Sequence, residues 1–456
     1  MMLARFVSVV LALACSQACI AQTDDWPMER IVVRPNREYH GLLLEKTDRQ
    51  LEFAEIIRPR GKPMYAIIHA IPAGRVRSYD RLQGTERAKL QERFQALRNR
   101  ALIEAGRMEA VELRTVQREG VDHLLYDGPW FTMLSAADEQ TTRRCIVRVE
   151  QTFRAYRQML PPRIKRFSSF QIVLYGSSSE YRAALDRWQV EIEHPAFYSP
   201  ERNVIVAGTD LDRFAVELAK SVEENERTRK QIRSLKSSHD QTLAQVAAEM
   251  KQNGFSPDDI SLEIGSRRSA WKQQQAALEA EIDQVERRNA GKFDDVSRAM
   301  FRRLNHEAFH AYLENYVYPH GEFDVPRWLN EGLAQVFEHA QLDADTLRID
   351  APARDLLPKL QADLKSHPLP LKDLLASGDS LVSAHRNNET TRRRYLYAWG
   401  LAYYLAFQRS GLGSDEFEAY VAKDGSGSPI TRFERYVGLP LAEFEQQWRK
   451  EMLRLR

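Results

Sequence analysis

Two histidines four residues apart, His306 and His310, enclose Glu307 in the run Asn305-His-Glu-Ala-Phe-His310. Apolar residues at Val296, Met300, Leu304, Phe309 and Leu313 recur at helical spacing. On such a helix both imidazoles leave the same face and can meet one ion. Glu307 then stands beside the open coordination position rather than on the metal. Zinc lowers the pKa of its bound water to about 7, and a carboxylate within hydrogen-bond range takes the proton. Residue types and spacing are thus explained together.

A third ligand is expected downstream. Pro326 and Arg327 precede Trp328-Leu-Asn-Glu331-Gly-Leu-Ala-Gln335, so a second helix is predicted to start near Val325–Trp328. Glu331, near its start, could complete a three-residue set and leave the fourth position to water. Taken alone, Glu331 would be read as a carboxylate favoured by the helix dipole. His320, Glu322, Asp324, Glu338 and His339 are competing ligands. The third histidine of the metzincin pattern is absent, because Leu313 and Tyr316 occupy its positions.

His306-Glu307-x-x-His310 followed by Trp328-Leu-Asn-Glu331-Gly-Leu-Ala resembles the gluzincin metallopeptidases. It is most similar to the peptidase-MA-like families of secreted bacterial proteins and more distantly to the aminopeptidase N family. The resemblance implies His306, His310 and Glu331 as zinc ligands and Glu307 as general base. It extends over Leu160–Arg163, Phe170–Tyr175, Tyr198–Ala207 and the closing stretch Phe433–Trp448. Tyr397-x-x-Gly400 resembles the aminopeptidase N segment whose tyrosine stabilises the oxyanion, with Tyr395 as its rival and His385 as a further candidate. No Gly-x-Met-Glu-Asn-like stretch is present, so capture of a free amino terminus is not implied. Gln335 stands where some gluzincins carry an acid, which leaves the group orienting the histidines unassigned.

These residues need a scaffold, and the chain is long enough for several domains. Arg5 and the apolar run Phe6–Ala14 have the layout of a secretory leader, residues 1–21, with cleavage after Ala21. Secretion or a periplasmic location follows, and lipid attachment at Cys15 or Cys19 is the minor alternative. The mature chain would keep Cys145 alone, which excludes an intrachain disulfide and a multi-cysteine zinc site. Basic and acidic residues nearly balance, 66 against 64, and give no electrostatic preference for nucleic acid.

The expected fold class is α+β, a zincin-like domain with a mostly helical C-terminal half. Short strand-like runs between turn signals predict a small β-barrel or sandwich over 22–80. A connector helix and strands cover 81–134, and an α+β lead-in covers 135–210. Residues 211–290 carry a heptad-like stripe through Phe214, Leu218, Ile232, Leu235, Val246 and Met250, resumed at Trp271, Leu278, Ile282 and Val285. Asn253-Gly254 ends one helix and Ser256-Pro257-Asp258-Asp259 starts the next, predicting an inserted antiparallel coiled-coil hairpin. Residues 291–456 form the helical part that holds the metal.

The function expected from these features is hydrolysis of peptide bonds by zinc-activated water, most simply as an endopeptidase of the cell envelope. The strand near Asn203–Ala207 is expected to be an edge that pairs with an extended peptide. The alternative is an envelope scaffold with a structural or vestigial zinc site. The expected partner is a peptide or protein substrate, with no nucleic acid and no membrane span after leader removal. The coiled-coil arm offers a surface for a partner or a homodimer.

Overall fold

The computed structural model describes residues 26–58, 64–98, 100–118, 120–164, 170–343, 346–349, 352–378, 389–423 and 426–455. The leader, its cleavage point, Cys15, Cys19 and His385 lie outside these residues. The protein is α+β, with a small antiparallel sheet at the N-terminal end and a helical C-terminal half.

The first sheet contains β1 (Glu29–Val33), β2 (Arg37–Lys46), β3 (Gln50–Ile57), β4 (Tyr65–Pro72) and β5 (Val76–Asp80), in the order β4-β3-β2-β1-β5. Alternation along the strands sends Ile31, Val33, Tyr39 and Phe53 into one small core, and Leu42, Ala54 and Ile56 into another. Helix α1 (Gly84–Arg98) closes the second core with Leu90 and Phe94. Glu29 is fully buried, yet it accepts from Arg87 at 2.8 Å, the Tyr79 hydroxyl at 2.8 Å and the Leu43 amide at 2.6 Å. Three donors offset the desolvation of that carboxylate and pin α1 to the sheet.

The second layer follows helix α2 (Arg100–Glu109). It contains β6 (Arg114–Arg118), β7 (Val121–Asp127), β8 (Thr132–Ser135), α3 (Glu139–Met159), β9 (Gln171–Tyr175), α4 (Ser178–Trp188), β10 (Ala196–Ser199) and β11 (Val204–Gly208). The strands form one sheet in the order β10-β11-β9-β8-β7-β6. Parallel pairing of β8 with β9 makes β8–α3–β9 a crossover unit, with the apolar face of α3 covering the sheet. Two expectations need correction here. The strands placed in a connector belong to this sheet, so a domain boundary at 134/135 would cut it. Residues 204–207 are not at an edge either, because β11 is paired with both β10 and β9. The edge is β10.

Helices α5 (Leu211–Gln252) and α6 (Pro257–Tyr312) form the arm. The Ser256 side chain caps α6 by accepting from the Asp259 amide, and Pro257 supplies a preset first-turn φ. Cross-helix pairs run Glu217–Lys292, Arg229–Glu286 and His239–Trp271, one number rising as the other falls, so the helices are antiparallel. Ile232, Leu243 and Ile282 are buried along the seam, whereas Leu235 is 49% exposed and lies off it. Helix α6 does not stop at 290. Its 56 residues, roughly 84 Å at 1.5 Å per residue, run unbroken from the arm into the histidine pair.

The remaining elements are α7 (Arg327–Glu338), the hairpin β12 (Gln341–Asp343) and β13 (Thr346–Arg348), α8 (Leu357–Ser366), α9 (Leu371–Leu375), α10 (Glu389–Tyr403), α11 (Asp415–Val421), α12 (Pro429–Val437) and α13 (Leu441–Arg454). One continuous core joins the second sheet, α3, the base of the arm and these helices, from Phe131 to Met452. Among the described residues no helix is long and apolar enough to cross a membrane.

Candidate metal centre

Helix α6 presents His306 and His310 four residues apart, and burial of Leu304, Ala308, Phe309 and Ala311 fixes its rotation. Helix α7 starts after Pro326 and buries Trp328, Leu329, Leu333 and Phe337, which turns Glu331 inward toward the histidines. The Glu331 Oε2 atom lies 3.3 Å from Nε2 of His306 and 3.7 Å from Nε2 of His310. All three donor atoms fall within 4.8 Å of one another. Two donors about 2 Å from an ion and at the tetrahedral angle stand roughly 3.3 Å apart, so this group has metal-ligand spacing.

The opposite ring nitrogens are occupied. His306 Nδ1 donates to Glu338 Oε2 at 2.9 Å, and His310 Nδ1 donates to Asn330 Oδ1 at 2.8 Å. Each bond selects the tautomer whose Nε2 lone pair points to the shared centre. The sequence reading assigned no partner to either ring. The signal was present in the spacing, because Glu331, Gln335 and Glu338 follow the i, i+4, i+7 pattern along one face of α7. Gln335 donates to the backbone carbonyls of Glu331 and Tyr395 instead.

Burial and mutual pairing set the protonation of these side chains. Burial and the neighbouring Arg303 both disfavour a charged His306, but the hydrogen bonds its ring donates to Glu331 and Glu338 outweigh them and push it up to about 9. For His310 burial dominates, and its pKa is lowered. Burial raises Glu331, yet the attraction of His310 and the bond to His306 bring it down to about 2. An ion held by His306, His310 and Glu331 would take the place of the His306 proton, because imidazole binds metal through a deprotonated nitrogen.

Glu307 lies beside the triad and points to the edge of the sheet. Its Oε2 accepts from the Tyr198 amide of β10 at 3.1 Å, and its other oxygen is paired with Arg303. A cavity of about 610 Å³ has Glu307, His310, Glu331 and Tyr395 in its wall. A second, of about 860 Å³, has His306, Glu307, Glu338 and Tyr395 in its wall. Phe197, Arg303, Glu307 and Tyr395 line both, so the two spaces adjoin at the triad.

The structure separates the two candidate tyrosines. Tyr397 is fully buried away from the triad, donating to Asp363 Oδ1 at 3.0 Å and accepting from the Leu369 amide at 2.9 Å. Its expected place beside the metal is corrected. Residues two apart on a helix leave it roughly 200° apart, which is why Tyr395 faces the cavities when Tyr397 faces α8. Burial, then the negative charge of Glu331, push the Tyr395 phenol up. Gly332 lets α10 come this close: a Cβ there would meet the Ala398 carbonyl oxygen at 2.3 Å.

The competing ligands go elsewhere. His339 lies 3.1 Å from Asp355, His320 lies 3.9 Å from Glu314, and Asp324 lies 3.6 Å from Arg432. Glu322 is exposed. Cys145 is fully buried, and burial pushes its thiol up to about 12, the condition of a packing residue.

The described residues therefore define an α+β protein with a buried His–His–Glu group able to hold a metal ion. A family described as protein of unknown function (DUF1570) matches residues 302–430, the span that carries this group. No curated protein and no solved structure matches the chain.

Proposed function

We propose that the protein is a zinc-dependent hydrolase of peptide bonds, built on a zincin-like domain of the gluzincin kind and acting as an endopeptidase in the cell envelope. One observation carries the reading. Two imidazoles and one carboxylate converge at ligand spacing while a second carboxylate, Glu307, stands beside them outside the ligand set. A purely structural site has no use for that second carboxylate.

The donor set of two nitrogens and one oxygen fits zinc with one position left open. Zinc bound there supplies Lewis acidity and an acidified water. Glu307 accepts the proton of the attacking water and returns it to the leaving amine. Arg303 and the Tyr198 amide hold the Glu307 carboxylate in place between strand and triad. The Tyr395 hydroxyl donates to the oxygen that gains negative charge. Adjoining cavities on both sides of Glu307 suit a chain that continues past the scissile bond in both directions, which favours internal cleavage. No residue of the arm, 211–290, lines either of these two cavities, which speaks against a site plugged by its own insertion.

The test pairs metal analysis with a peptide-library assay. The expected result is one zinc per chain and cleavage that Glu307→Gln reduces by about 10²–10⁴-fold with zinc retained. Full activity in that variant would falsify the mechanism.

A further inference from the structure

Among the described residues, charge pairing around the triad leaves the Arg327 guanidinium of this cavity without an ion-pair partner. The cavity of about 610 Å³ is faced by four carboxylates, and each is engaged. Glu307 is held by Arg303 and the Tyr198 amide, and Glu331 by the two histidines. Glu314 accepts from the Tyr198 hydroxyl at 3.4 Å, and Asp324 lies 3.6 Å from Arg432. Three arginines face the same space. Arg432 is held by Asp324 and by the carbonyls of Tyr420 and Ala422. Arg303 is held by Glu307, but its buried Nε has no hydrogen-bond partner. Arg327 has no ion pair, side-chain hydrogen bond or ring contact among the described residues.

Arg327 sits one turn before Glu331 on α7, and its charge reaches both Glu331 and the Tyr395 phenol. A dication at the triad makes the lining net positive, three guanidiniums and the ion against four carboxylates. A guanidinium offers a planar fork that matches a carboxylate, and a partly enclosed cavity strengthens that pairing relative to water.

We infer that Arg327, supported by the free Nε of Arg303, selects peptides that place a carboxylate in this cavity beside the scissile bond. The carboxylate is either an acidic side chain or the peptide's own C-terminus. This deepens the hydrolase reading and rests on it for the word substrate, but recognition can be measured without turnover.

The experiment uses the full chain as its zinc-loaded Glu307→Gln form and three fluorescein-labelled hexapeptides. One is blocked and carries a central Glu, one is the blocked Gln counterpart, and one is the Gln peptide with a free C-terminal carboxylate. Fluorescence polarisation should give the Glu peptide or the free acid an affinity about tenfold above the blocked Gln peptide, as expected for one charge-assisted contact. Which of the two gains identifies the source of the carboxylate. Arg327→Gln should bring the ratio to about one, and Arg327→Glu should invert it. Equal binding of all three, binding of none, or a preference that survives Arg327→Gln overturns the inference. Cleavage by the unmodified chain is scored separately. Preferential binding without cleavage of any peptide would remove the hydrolase reading and keep the carboxylate site. Cleavage without charge preference would do the reverse.

Discussion

His306 Nδ1 lies 2.9 Å from Oε2 of Glu338, a carboxylate two helical turns beyond the candidate ligand Glu331 on the same helix. That one contact fixes the ring's tautomer and ties α6 to α7 at the candidate metal centre. Removing such an orienting acid elsewhere weakens metal affinity about 10–100-fold. The same loss is expected for Glu338→Gln in a zinc competition titration against a chelator. An unchanged affinity would show that His306 needs no fixed partner.

Tyr395 and Tyr397 should separate cleanly by kinetics. Tyr395→Phe removes a donor facing the cavity and should lower kcat by about 10²-fold. Tyr397→Phe removes a bond to Asp363 and should lower stability by about 1 kcal/mol with kcat nearly retained. The opposite pattern would return the oxyanion role to Tyr397.

Gly332→Ala places a methyl group against the Ala398 carbonyl, at a separation of 2.3 Å before any relaxation. The backbone of α10 must move, at a cost of about 1–3 kcal/mol. Thermal unfolding should report a lowered Tm, and activity should fall with it because Tyr395 rides on α10. A Tm equal to that of the parent chain would mean that the helices separate freely.

Asp363 links α8 to α10 and gives a pH signature away from the His–His–Glu group. Its hydrogen bonds with Arg393, at 2.7 and 2.8 Å, hold its carboxyl below the usual carboxylate range. A depressed folded pKa stabilises above the unfolded value of about 3.9, and the gain fades as pH falls through the folded value. The stability difference between the parent and Asp363→Asn should thus be constant near neutrality and shrink below about pH 4. Parallel denaturation curves at pH 7 and pH 3 would contradict it.

Much of the centre could be read from local pattern. The pairing of His306 with His310 follows from helical periodicity alone, and Ser256-Pro257 marks the start of α6 because caps and prolines act within one turn. The rotation of α10 could not be read this way. Tyr395 and Tyr397 lie in an aromatic-rich run whose composition favours neither face, so only the packing of α10 on α7 at Gly332 chooses between them. The edge strand was also beyond local reading. Residues 196–199 and 204–207 are equally strand-like, and their places in the sheet depend on β9, whose residues pair with β11 from 33 positions upstream, as in Gln171 with Val204.

By itself, then, the sequence determined which side chains can share an ion, because their spacing on one helix is a local property. Tertiary structure decided which groups serve them: Glu338 and Asn330 behind the rings, the Tyr198 amide on Glu307, and Arg327 without an ion pair among the described residues. Those relations depend on how separate elements pack, and no short-range pattern encodes the distance between two helices or the face one turns to the other.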